Sequence, residues 1–201
     1  MNDLFNTDKK IVLNVGCGKV DLKEHSIFLT TPEWKEVRVD AWEGNETAHV
    51  YSDITTLDGI PDESCDAIWA CHVVEHVYFH QLKDVFTSMM RVLKKDGFAV
   101  IRVPDLGCLA DKIKNGLLTH KMYDSAAGDI TVIDMIYGHR GLIQEWGEGM
   151  AHKTGFTLDS MNQILSSLNI KAYTKDTEFN EVIALLYKDK EPKEYMAAGT
   201  F

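Results

Sequence analysis

Ile11-Val12-Leu13-Asn14-Val15-Gly16-Cys17-Gly18 is the stretch on which the reading of the fold turns. Its first five residues are β-branched or apolar apart from Asn14, with no alternation of polar and apolar positions. A strand apolar on both sides belongs in a parallel sheet covered on both faces. The glycines that follow force a tight turn and let the backbone approach a ligand that a Cβ would hold off.

Working outward, Val37-Arg38-Val39-Asp40 reads as a second strand ending in a carboxylate, and Ala48-His49-Val50-Tyr51 as a weaker third, followed by Asp53-Ile54. Asp66-Ala67-Ile68-Trp69-Ala70 is a fourth strand that runs into Cys71-His72. Leu82, Val85, Phe86, Met89, Met90 and Leu93 then fall on one helical stripe. Lys94 and Lys95 suit the negative end of that helix, and Gly97 is read as its stop. Phe98 to Val103 is a fifth strand, closed by Pro104. Strands and helices in this rhythm make βαβ units. The fold class is α/β, a Rossmann-like, mostly parallel sheet with helices on both faces. The first crossover, 21–36, has a poor helical pattern and predicts a short or irregular helix.

Leu106 to Lys114 reads as a further helix. The stretch 115–155 has many glycines and no sustained periodicity, and is expected to be an insertion after the fifth strand that forms a lid or acceptor-binding loop. Thr157 is an N-cap residue before Met161, Ile164, Leu165 and Leu168 at helical spacing. Ile170 to Thr174 and Val182 to Tyr187 are two last strands. The expected organisation is one domain over 1–201, with an N-terminal extension at 1–9, the insertion at 115–155 and a frayed tail at 188–201.

The 201 residues carry 21 basic and 31 acidic side chains, a formal charge of −10. That surface repels phosphate backbones, so bulk nucleic acid and anionic membranes are expected to be excluded as partners. The apolar runs are too short to cross a bilayer, and residues 1–10 have no apolar signal core. Cys17, Cys65, Cys71 and Cys108 show no paired metal-ligand spacing. The expectation is therefore reduced thiols, no metal and a cytoplasmic location.

In an open α/β sheet, ligands bind at the carboxyl ends of the strands, where strand order reverses. Gly16, Cys17 and Gly18, then Asp40, Asp53 with Ile54, and Cys71 with His72 all stand at those ends. Asp40 offers acceptors for the two hydroxyls of a ribose, Asp53 an acceptor for an exocyclic amine, and Ile54 an apolar face for a ring. A dinucleotide fingerprint requires a third glycine, but the run here is Gly16-Cys17-Gly18-Lys19-Val20-Asp21.

These motifs carry a resemblance. Leu13-Asn14-Val15-Gly16-Cys17-Gly18 resembles the first motif of class I S-adenosylmethionine-dependent methyltransferases, of the small type 11-like branch. Pro61-Asp62-Glu63-Ser64-Cys65-Asp66-Ala67-Ile68-Trp69-Ala70-Cys71-His72-Val73-Val74-Glu75-His76-Val77 resembles their fourth-strand motif. Arg91-Val92-Leu93-Lys94-Lys95-Asp96-Gly97 resembles their turn into the fifth strand, and His152-Lys153-Thr154-Gly155-Phe156-Thr157 a late segment. The resemblance implies a seven-stranded sheet whose last strand is antiparallel. It implies S-adenosylmethionine lying across Gly16–Gly18, its ribose on Asp40, its adenine near Asp53 and Ile54, and its methionine end near Cys71. S-adenosylhomocysteine would be the product. Asn14 stands where relatives usually carry an acid, and brings no charge to the cofactor's ammonium group.

Transfer from a sulfonium needs a base only when the acceptor begins protonated. His72, His139 and His152 are the candidate bases, and Glu75 and His76 can face the same cleft. The aromatic residues of 115–155 suit a small-molecule acceptor. The same stretch could instead be scaffold or a homodimer contact. Two alternatives stand beside methyl transfer: a non-catalytic cofactor-binding partner subunit, and a nucleotide-cofactor enzyme of other chemistry such as a nicotinamide-dependent reductase.

Overall fold

The computed structural model describes residues 2–19, 21–24, 31–125, 127–177 and 180–192. Its main sheet is built from β1 (Lys10–Val15), β2 (Trp34–Asp40), β3 (Val50–Tyr51), β4 (Cys65–Cys71), β5 (Leu93–Pro104), β8 (Lys171–Asp176) and β9 (Glu181–Tyr187), in the order β3-β2-β1-β4-β5-β9-β8. β1, β2, β3, β4 and β5 pair in parallel, whereas β9 runs antiparallel to both β5 and β8. The direction of β9 matters for function. It delivers the start of that strand, Glu181, opposite Pro104, at the edge where the parallel strands end.

Alternation along the central strands explains why both faces are apolar. Ile11, Leu13 and Val15 enter the larger core with Ile68, Ala70, Ile101 and Val103, while Val12 enters a second with Ala67, Trp69, Phe98 and Val100. The larger core takes the apolar stripes of α2 (Leu82–Val92) and α6 (Leu158–Ser167). Leu22 and Trp34 cover the other face. Each such fully buried aliphatic or aromatic side chain contributes about 1.5–3 kcal/mol.

The expected turn out of α2 resolves differently. Leu93 already pairs with Cys65, and β5 continues through a register shift between Cys65 and Ala67. Gly97 lies in that irregularity and is no helix stop: a Cβ there would lie 3.1 Å from the carbonyl oxygens of Asp66, Cys65 and Lys94. In the first crossover the described residues form a 3-10 turn, Leu22–Glu24, and 25–30 lie outside them. β2 begins at Trp34, earlier than expected, and β3 is shorter than expected.

Before the insertion, a 3-10 turn, Gly107–Leu109, runs into α3 (Ala110–Lys114). The insertion is more ordered than its sequence suggests. It holds a hairpin, β6 (Lys121–Ser125) and β7 (Gly128–Thr131), then α4 (Val132–Tyr137) and α5 (Arg140–Trp146). Leu109, Val132 and Met135 give it a small core with Leu106, Met122, Ile130 and Ile136.

At the amino end, α1 (Asn2–Phe5) lays Leu4 and Phe5 against the main core. The start of the tail is tied down: Lys188 Nζ donates to the Leu93 carbonyl and Asp189 N to that of Lys95. Residues 193–201 lie outside the described part. No helix among the described residues is long and apolar enough to cross a membrane.

Candidate active site at the carboxyl edge of the sheet

Gly16 and Gly18 both have left-handed backbones, with φ of 65° and 50°. They need glycine for different reasons. A Cβ on Gly16 would sit 2.5 Å from Cγ2 of Val73, whereas one on Gly18 would meet nothing within 4 Å among the described residues. The first glycine lets the loop after β4 press on the turn. The second leaves open space above it. Cys17 between them is buried, and burial pushes its thiol up to about 11.

Asp40 organises this turn from the end of β2. Its Oδ2 accepts from the Gly18 N–H at 2.9 Å and from Asn45 Nδ2 at 2.8 Å, and its Oδ1 accepts from the Trp42 N–H at 3.0 Å. Asn45 is fully buried and also donates to the Gly18 carbonyl at 2.7 Å. The sequence reading missed Asn45, which stands in a loop with no periodic signal. Asn14 turns to the neighbouring strand, where Nδ2 donates to Glu36 Oε1 at 2.8 Å. Asp53 Oδ1 accepts from the backbone N–H and hydroxyl of Thr55, so part of that carboxylate is a turn cap. Ile54 is 6% exposed and packs in the main core.

Past Cys71, β4 ends in a charged cluster. His72 adopts φ of 52°, uncommon for a residue with a Cβ. Its Nε2 lies 2.7 Å from Glu181 Oε1 and its Nδ1 3.2 Å from Glu75 Oε1. Burial works against an imidazolium here, but hydrogen bonds to Glu181 and then Glu75 outweigh it, and the His72 pKa is raised well above its ordinary value. Arg102, on β5, holds the other Glu181 oxygen. An imidazolium that donates from both ring nitrogens to carboxylates has no lone pair to act as a base.

Glu75 is 1% exposed, and its Oε2 has no hydrogen-bond partner among the described residues. Its backbone carbonyl accepts from Lys153 N and Thr154 N, which ties the 152–157 segment to the end of β4. That segment brings His152 in, with Nε2 4.0 Å from Glu75 Oε1. Burial lowers the His152 pKa. His139 goes elsewhere: its Nδ1 accepts from the Leu142 N–H as the N-cap of α5. The structure thus joins His72 and His152 through Glu75, and gives His139 a capping role. Glu181 was not foreseen. Its sequence signal is a lone acid opening the apolar run Val182–Leu186, and only the antiparallel pairing places it.

Two residues of 115–155 approach this edge. Tyr123 of the hairpin lies within the field of His72 and Glu181, and burial raises its phenol pKa. Trp146 of α5 stacks on Trp42, with ring centroids 5.7 Å apart and an interplanar angle of 19°. Lys19, next to Gly18, sits 5.8 Å and 5.7 Å above the two rings. Cation–π contacts of this kind contribute about 0.5–1 kcal/mol at exposed sites.

A nucleoside cofactor fits this edge. The left-handed glycine turn with free space above Gly18 admits a close backbone approach, and Asp40 stands beside it with acceptor capacity left on Oδ1.

Residues 13–101 match the family model of a methyltransferase domain. Among solved structures, the chain is similar to a S-adenosylmethionine-dependent methyltransferase from Clostridium acetobutylicum (TM-score 0.59, 13% identity, 92% of this chain and 87% of that one). It is also similar to a SAM-dependent methyltransferase from Archaeoglobus fulgidus (TM-score 0.57, 14% identity, 93% and 90%). A third is the 1,6-didemethyltoxoflavin-N1-methyltransferase of Burkholderia thailandensis, solved with 1,6-didemethyltoxoflavin and S-adenosylhomocysteine (TM-score 0.58, 14% identity, 90% and 72%). No curated protein sequence matches the chain at a significant level.

Proposed function

We infer that this chain, which carries a class I S-adenosylmethionine-dependent methyltransferase domain, methylates a small-molecule acceptor held between the ends of β4, β5 and β9 and the insertion. One observation carries the reading. Val73 packs on Gly16, so the glycine turn and the charged cluster at His72 are neighbours on one edge of the sheet. When bound, the cofactor supplies an electrophilic methyl group on a sulfonium. The chain's own residues supply position. The Gly16–Gly18 backbone and Asp40 hold the nucleoside end, and the backbone after Cys71 faces the methionine end.

His72, fixed by two carboxylates, anchors the wall on the acceptor side. Tyr123 and the Trp42–Trp146 pair offer aromatic surface on the insertion side of this edge. Holding reactants in line supplies much of the acceleration in such a displacement. A small, ring-bearing acceptor is supported by that aromatic surface and by the heterocycle in the Burkholderia enzyme. The free thiols of Cys17, Cys65, Cys71 and Cys108 support a reducing, cytoplasmic setting.

The test is parallel calorimetry with S-adenosylmethionine, S-adenosylhomocysteine and NAD, followed by S-adenosylhomocysteine release on incubation with pools of small heterocycles and phenols. Binding of the first two and release with one pool is the expected result. Failure to bind either adenosyl ligand would overturn the reading.

A further inference from the structure

We propose that Glu75, His76 and His152 form a binding site for a first-row divalent transition metal ion of the zinc class. One potential ligand atom from each residue lies within 4.8 Å of those of the other two. The sequence reading expected no metal, because it looked for cysteine spacing; this set has none, and joins two adjacent residues with a third 76 positions on.

Three features make the cluster more than a coincidence of packing. Each imidazole is held by a backbone carbonyl on its Nδ1 side: His152 Nδ1 donates to the Met135 carbonyl at 3.0 Å, and His76 Nδ1 to the Ala151 carbonyl at 3.2 Å. A carbonyl can only accept, so both rings carry a proton on Nδ1, which leaves Nε2 as the atom free to face an ion. That is the outer-shell support found at metal-bound histidines. Second, neither Nε2 has a hydrogen-bond partner among the described residues, and the rings meet edge to face with centroids 5.0 Å apart. Third, Glu75 is buried and its Oε2 has no hydrogen-bond partner among the described residues, an unfavourable state for a charged group. A cation held beside Glu75 compensates that carboxylate.

The chemistry of the set selects the ion. Two imidazoles and one carboxylate suit zinc, cobalt, nickel or iron(II) over the hard, all-oxygen preference of calcium or magnesium. Tetrahedral ligands at about 2.0–2.1 Å lie roughly 3.3 Å apart, so ligand atoms now within 4.8 Å of one another must draw together by up to about 1.5 Å on binding. Glu75 lies in the 3-10 turn Val74–His76 at the end of β4, whereas His152 stands on the segment returning from the insertion. Three protein ligands leave an open coordination position, as in catalytic metal sites.

The proposal is independent of the methyl-transfer reading, and its test does not use turnover. The full chain, stripped with chelator, is titrated with cobalt(II) while the visible d–d absorption is followed, and zinc(II) is then added as competitor. The expected result is one equivalent of cobalt bound, displaced by zinc, with a rise in melting temperature on zinc addition. His76→Ala and His152→Ala are each expected to weaken cobalt binding at least tenfold, while His120→Ala, at an exposed position, leaves it unchanged. Glu75→Gln removes the charge but disturbs a buried network, so it is scored only if circular dichroism shows it folded. His76, partly exposed, keeps the test decisive. Absence of stoichiometric uptake by the wild type, or unchanged affinity in a folded His76→Ala or His152→Ala protein, overturns the site.

Discussion

At the residue scale, the two glycines of the first turn are expected to fail in different ways. A left-handed backbone costs an alanine about 1–2 kcal/mol at either position. At Gly16 the new Cβ also runs into Val73, so Gly16→Ala is expected to lower the melting temperature markedly, with partial recovery in the Gly16→Ala/Val73→Ala double variant. Gly18→Ala meets open space, and its larger effect is expected on S-adenosylhomocysteine affinity, read by calorimetry. Equal loss of stability and unchanged affinity in both would mean that neither glycine serves a ligand. Asp40→Ala is expected to weaken the same ligand by about 1.5–3 kcal/mol, the cost of losing charge-assisted hydrogen bonds. Because Asp40 already accepts from Gly18 and Asn45, part of that loss is loss of turn geometry. Asn45→Ala, which touches the turn but offers no carboxylate, measures that part.

At the scale of elements, the insertion carries its own acid-sensitive clamp. Asp134 on α4 is buried, accepts from the Thr131 N–H at 3.0 Å and pairs with Arg140 of α5 at 2.7 Å. Burial alone would raise its pKa; the hydrogen bonds from Arg140 and Thr131 prevail and hold it well below the usual carboxylate value. A group depressed in the folded state stabilises above its unfolded pKa, and that stability is lost as pH falls through the folded value. The stability gap between wild type and Asp134→Asn is therefore expected to be constant above about pH 5 and to narrow below it, as the unfolded wild-type chain takes up a proton that folded Asp134 does not. A gap independent of pH down to 2 would remove Asp134 from the clamp. The second device is the Trp42–Trp146 stack, which ties α5 to the loop after Asp40. Residues 139–147 are expected to exchange amide hydrogens faster than the central strands in the free protein and to slow when S-adenosylhomocysteine is bound. Trp146→Ala should abolish the slowing. Full protection in both states would make the region scaffold.

At the scale of the whole molecule, a ligand that binds only the folded state stabilises it by about 2.7 kcal/mol at one hundred times its dissociation constant. For a chain of this size, S-adenosylhomocysteine at that level is expected to raise the melting temperature by roughly 5–10 °C. No shift in a folded sample would remove the cofactor from the site. The sequence by itself determined the order of the parallel elements and the glycine turn. Those depend on local features: apolar runs such as Ile11–Val15, the α2 stripe from Leu82 to Met90, and glycines where the chain must turn left-handed. It also brought Asp40 and His72 to one edge, since parallel strands all end on the same side. Tertiary structure alone decided what those residues touch. Glu181 reaches His72 because β9 runs antiparallel to β5, a pairing across 109 residues of sequence. His152 reaches Glu75 because a segment beyond the insertion hydrogen-bonds back to the end of β4, while His139, equally polar in sequence, is spent on capping α5. Side-chain partners of this kind depend on contacts between segments far apart in the chain, and no periodicity within one segment encodes them.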